Sequence, residues 1–109
     1  MPSAYIEIRT TTERRADAQR IASALVKKRL AACAQIVGPI KSTYWWKGKI
    51  ETAREYMCVI KTRRSLYKKV EKAIKALHPY ETPEIIALPI VAGSTAYLKW
   101  LCEETGRAK

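Results

Sequence analysis

Apolar and polar residues alternate at the start of the chain. Ala4, Ile6 and Ile8 share one side and Tyr5, Glu7 and Arg9 the other, which predicts a half-buried strand over residues 4–10. The period then changes. Thr10-Thr11-Thr12-Glu13 has the spacing of a capping box, and Ala18, Ile21, Ala22, Leu25 and Val26 recur at helical intervals. Arg14, Arg15, Arg20, Lys27 and Lys28 fall on the outer side of that helix, and the last of these, with Arg29, complement its negative end. An apolar run over residues 31–37 meets Gly38-Pro39, which predicts a bulge or bend. The strand resumes from Ile40 to Trp46, turns at Lys47-Gly48 and returns over residues 50–62. Tyr56, Cys58 and Ile60 alternate with Met57 and Val59, so the end of this strand is expected to be covered on both faces. The two arms make a hairpin longer than a small globule needs, with Tyr44, Trp45 and Trp46 near its tip.

Ser65 stands where an N-cap belongs, and Leu66, Val70, Ala73, Ile74 and Leu77 mark the buried stripe of a second helix. Lys68, Lys69, Lys72 and Lys75 line its wet side. His78-Pro79 ends it, because proline cannot continue a helix. After a short loop, residues 85–91 read as a buried strand in which Pro89 marks an edge or bulge. Gly93 and Ser94 open a last helix with Tyr97, Leu98, Leu101 and Cys102 on its apolar face, and Gly106 closes it. The order β-α-β-β-α-β plus a terminal helix is that of an α+β, ferredoxin-like fold with a long hairpin between its second and third strands. The whole of residues 1–109 is expected to form one domain.

Charge adds one question. Lys and Arg number 21 against 10 acids, a net charge of +11, but the excess is spread along the chain with no basic tail. Such a balance suits an acidic partner or simply a well-dispersed surface, and the bases fall mostly on solvent faces of helices. A nucleic-acid reading rests on the basic, aromatic tip at Tyr44-Trp45-Trp46-Lys47-Gly48-Lys49. It lacks the strand aromatics of RNA-recognition domains, so no nucleic-acid partner is expected. No apolar run reaches the roughly 20 residues a bilayer needs, and no membrane partner is expected. The N-terminus lacks the pattern of a signal peptide, so the cytoplasm is the expected compartment. Cys33, Cys58 and Cys102 have no metal-module spacing and read as free thiols. No Gly-rich phosphate loop and no nucleophile elbow is present. Cys33 with His78, the single histidine, is the one conceivable nucleophile–base pair, and a packed thiol explains Cys33 better. No catalytic residue is assigned and no enzyme activity is expected. His78, at a helix end beside Pro79-Tyr80, is the most informative polar residue, since imidazole suits copper, zinc or nickel.

Five segments in order carry a resemblance: Leu30-Ala31-Ala32-Cys33-Ala34, Tyr44 to Glu51, Ile60-Lys61-Thr62, His78 to Pro89, and Tyr97 to Leu101. Together they resemble the CutA family of divalent-cation tolerance proteins over roughly residues 5 to 104. The resemblance implies a ferredoxin-like subunit that assembles as a homotrimer, similar in architecture to PII signalling proteins. It implies a role in tolerance of copper and other divalent cations, with no resident cofactor beyond a weakly held copper or other divalent ion. The copper ligands of bacterial members are a cysteine at the end of the first strand and two consecutive histidines before Pro-Tyr. Here Arg9 and Leu77 hold two of those positions, so only His78 carries over as a metal ligand. The resemblance also implies a cleft between subunits gathering Cys33, Trp46, Lys61, His78, Tyr80 and Trp100, with Lys61 as an anion contact. That cleft gives the alternative readings of a PII-like small-ligand sensor or a structural scaffold.

Overall fold

The first strand is built from side chains that branch at Cβ. Ile6, Ile8, Thr10 and Thr12 all turn inward along β1 (Tyr5–Thr12) and are buried. A computed structural model describes residues 3–106; residues 1–2 and 107–109 of the expected single domain lie outside the described residues. The strand takes up the whole threonine run, so the expected capping box does not form. Instead α1 (Arg15–Lys27) starts behind Arg14, with no side-chain cap, and the Thr12 hydroxyl donates to the Arg14 carbonyl at 2.8 Å. Ala18, Ile21 and Leu25 face the core, whereas Val26, one residue further round, is exposed.

The long hairpin is present as β2 (Cys33–Trp46) and β3 (Lys49–Arg63), and its pairing runs from Cys33–Lys61 to Trp46–Lys49. Lys47 and Gly48 both have positive φ, 53° and 80°, the type I′ geometry whose twist matches antiparallel strands. The register shifts between Val37 and Ile40, so Gly38-Pro39 is the bulge expected there. Gly38 has φ of 150°, and a Cβ placed on it would lie 2.9 Å from the Tyr56 ring and 3.0 Å from the Glu55 carbonyl oxygen. Only glycine fits.

A turn of 3-10 helix, Arg64–Leu66, precedes α2 (Tyr67–Leu77). It absorbs Ser65, so the second helix also starts without the expected side-chain cap. Val70 and Ile74 are its buried residues. The last strand, β4 (Ile86–Pro89), is shorter than the sequence suggests and is not buried: Ile86 is exposed and Val91, past its end, is 87% exposed. Its position explains this. The sheet order is β2-β3-β1-β4, antiparallel throughout, which puts β4 at one edge, with β1 its one neighbour among the described residues. An edge strand tolerates Pro89, whose missing N–H would break an interior ladder.

This order is the ferredoxin-like arrangement. Helices α1 and α2 cover one face of the sheet, with Ile6, Ile8, Ile21, Leu25, Ile60 and Ile74 at the centre of the core. The other face carries Glu7, Arg9, Val59, Lys61 and Cys33, and α3 (Thr95–Glu103) lies against one end of it. Ser94 caps α3, its hydroxyl accepting from the Tyr97 N–H at 3.2 Å, and Gly106, at φ 72°, ends it as expected. Val59 is buried on this second face, and Met57 beside it is half-buried. Among the described residues no helix is long and apolar enough to cross a membrane.

Candidate functional site

Pro79 decides where His78 goes. The residue before a proline is kept out of helical geometry, and His78 has φ −76° and ψ 134° at the end of α2. That turn swings its ring onto the end of β1. Nε2 donates to the Thr11 carbonyl at 2.8 Å, and Nδ1 accepts from the Tyr80 N–H at 3.1 Å. A backbone N–H donates only, so Nδ1 carries no proton and the tautomer is set. His78 is 9% exposed. Burial pushes its pKa below the ordinary imidazole value, opposed by the Thr11 carbonyl and by the charges of Asp17 and Glu55. Both ring nitrogens are thus engaged, and a metal reaches either one only by displacing a hydrogen bond.

The turn after His78 positions Tyr80, whose ring centroid lies 4.7 Å from that of His78. The Tyr80 hydroxyl donates to Glu55 Oε2 at 2.7 Å. Burial and the hydrogen bond to Glu55 both push the Tyr80 pKa up, so it remains a donor through the physiological range. Glu55 comes from β3 opposite Ile40, immediately past the bulge. Thr11, Glu55 and Tyr80 form the inner wall of a cavity of about 770 Å³, and the upper arm of β2, including Tyr44 and Trp46, overhangs it. Glu81 and Glu84 complete the loop side.

The expected ligand cleft therefore divides within one chain. Trp46 and Tyr80 line the cavity, with the His78 ring tilted against Tyr80 from behind. Cys33, Lys61 and Trp100 do not line it. They belong to a second cluster under α3, where Cys33 Sγ lies 3.5 Å from the Tyr97 hydroxyl and Lys61 Nζ lies 5.8 Å from the Tyr97 ring centroid. Lys61 also donates to Gln35 at 3.2 Å, and the Trp100 ring packs tilted against Tyr97. The Tyr97 pKa is pushed up to about 12, first by its hydrogen bond with Cys33 and then by burial. Cys33 meets Tyr97, and His78 meets Thr11 and Tyr80, so the two do not pair as nucleophile and base.

Arg9 stands on the outer face, its guanidinium 2.7 Å from the Glu7 carboxylate, and Leu77 packs against the core beneath α2. Neither serves as a metal ligand. Among the described residues no group of three or more His, Cys, Asp or Glu side chains is placed to hold a metal ion. Glu55 is the functional candidate that pattern reading passed over. Its signal was a lone acid in an otherwise apolar stretch beside a bulge, Glu55-Tyr56-Met57-Cys58-Val59-Ile60.

Sheet order, helix placement and the overhanging hairpin define a ferredoxin-like α+β protein with an acidic, aromatic cavity beside a structural histidine. The family of the CutA1 divalent ion tolerance protein matches residues 6–104, and the chain belongs to that family. It is similar to the divalent-cation tolerance protein CutA of Thermus thermophilus, 47% identical over 89 residues that cover 82% of this chain and 86% of that protein. It is 42% identical over 100 residues to a chloroplastic CutA of Oryza sativa, covering 92% of this chain. There the chain spans only 56% of the relative's length. The solved structure of the Thermus thermophilus protein superposes with a TM-score of 0.91 at 42% identity, covering 94% of this chain and 99% of that one.

Proposed function

We propose that this chain acts in divalent-cation tolerance as a homotrimer, without catalysing a reaction, and takes up copper or another divalent ion weakly through His78. The observation that carries the assembly is the sheet's unfinished perimeter. Among the described residues both edge strands, β2 and β4, lack an outer neighbour, and large apolar residues are left in water around them. Trp45 is 72% exposed and Ile50, its partner across the hairpin, 62%. Open edges and apolar patches of this kind are removed by pairing with further copies. Metal uptake requires His78 to give up a hydrogen bond and to meet ligand partners from another subunit. We place the protein in the cytoplasm, where Cys33, Cys58 and Cys102 stay reduced.

Native mass spectrometry with and without Cu²⁺ tests this reading. A trimer with copper on each subunit, lost in His78→Ala, supports it. A trimer that takes up no metal beyond a non-specific ladder removes the metal and leaves the assembly. A monomer overturns the assembly. The cavity beside Glu55 favours a second reading, in which the trimer senses a small ligand and metal is incidental.

A further inference from the structure

We infer that the cavity under the hairpin binds a small organic cation, a protonated amine on an apolar body, held between Glu55 and the rings of Tyr44 and Trp46. This deepens the small-ligand reading and rests on it. The cavity's volume of about 770 Å³ falls within the range of small-molecule sites. Its charge is the reverse of the chain's. In a protein of net charge +11, the residues lining the cavity include Glu55, Glu81 and Glu84 and no lysine or arginine. The anion contact expected of Lys61 is therefore not available here.

Glu55 makes the case specific. The residue is 5% exposed and its carboxylate receives a single hydrogen bond, from Tyr80 to Oε2, while Oε1 has no donor among the described residues and is not sealed from solvent. A carboxylate oxygen with no protein donor keeps a water or takes a donor from a ligand. No guanidinium or ammonium of the described residues forms an ion pair with it. An ammonium in the cavity supplies that donor together with an opposite charge. The aromatic wall then selects among cations. A tryptophan or tyrosine face attracts an alkylated cation through its quadrupole, and the chain's own Lys47 ammonium already stands 5.7 Å from the Trp46 ring centroid. A bare divalent ion asks instead for several oxygen, nitrogen or sulfur ligands at once. The described residues offer no such cluster.

The test uses the full chain in its native assembly and three probes of equal length: hexylammonium, hexanol and hexanoate. Binding is read by isothermal titration and by tryptophan fluorescence, at fixed ionic strength. Hexylammonium is expected to bind saturably, and the other two at least tenfold more weakly. Glu55→Gln, which keeps an acceptor for Tyr80, is expected to weaken hexylammonium at least tenfold while hexanol is unchanged. Trp46→Leu is expected to weaken it several-fold and serves if the Glu55 variant does not fold. Equal binding of hexanol, or preference for hexanoate, overturns the cation while leaving a ligand site in place. No saturable binding of any probe overturns both, as when a side chain of a second copy already fills the cavity. Full displacement of hexylammonium by an equal concentration of a divalent metal identifies a metal site and overturns the proposal.

Discussion

His78 and Thr10 show how single residues carry measurable consequences here. Burial holds the His78 pKa below its ordinary value, while the unfolded chain protonates it near pH 6.5. Between those two values the unfolded state binds more protons than the folded one. Stability therefore falls as pH drops below about 6.5. Protonation also removes Nδ1 as the acceptor for the Tyr80 N–H. The melting temperature is expected to fall between pH 7 and pH 5, and His78→Gln to flatten that part of the profile at the cost of a lower plateau. Thr10 acts in the other direction. Its hydroxyl is buried with no hydrogen-bond partner among the described residues. Thr10→Val keeps the shape and the β-branched backbone preference, so it is expected to raise stability by about 1 kcal/mol in urea unfolding. An unchanged or lower midpoint would show that the hydroxyl is satisfied in solution.

At the scale of elements, the hairpin governs the site. Its bulge at Gly38-Pro39 shifts the register so that Glu55 pairs with Ile40 and stands beside the cavity. Gly38→Ala is expected to cost about 1–3 kcal/mol, through the disfavoured φ and the clash with Tyr56 and the Glu55 carbonyl. Because Glu55 moves with the bulge, the same variant is expected to weaken hexylammonium binding. A variant as stable as the parent would mean that the bulge relocates. The turn at Lys47-Gly48 and the proline stop at Pro79 were both legible from local chemistry, since each depends on the φ of one or two residues. The two missed helix caps were not. β1 absorbed the threonines, and a 3-10 turn absorbed Ser65, because pairing with β3 and packing of Leu66 outweigh a single cap hydrogen bond.

For the whole molecule, the sheet's open edges make the assembly testable. Ile86 faces outward on the edge strand β4. Ile86→Lys places a charge there and is expected to shift the proposed trimer toward monomer in sedimentation velocity, with the circular dichroism of the subunit kept. A trimer unaffected by the charge would place the contact elsewhere, on the hairpin arms or the outer face near Arg9. The net charge of +11 belongs to this scale too. It is spread over helices, strands and the hairpin turn alike, so it favours dispersion of the assembled protein and draws small cations only into places where acids gather, such as the cavity wall.

The periodicity of apolar residues determined the number and order of elements, the hairpin and its turn, and the helix stop at Pro79, because these depend on neighbours a few residues apart. The family was legible separately, in the resemblance carried by motifs spread from Leu30 to Leu101. Tertiary structure alone decided which distant residues meet. Pattern reading could not show that Thr11, Glu55 and Tyr80 enclose one cavity while Cys33, Lys61 and Trp100 lie outside it. Nor could it show that both nitrogens of His78 are spoken for. Those outcomes follow from sheet register and from a bulge that displaces one strand against another, and strand register is set by the packing of the whole sheet rather than by any local run of residues.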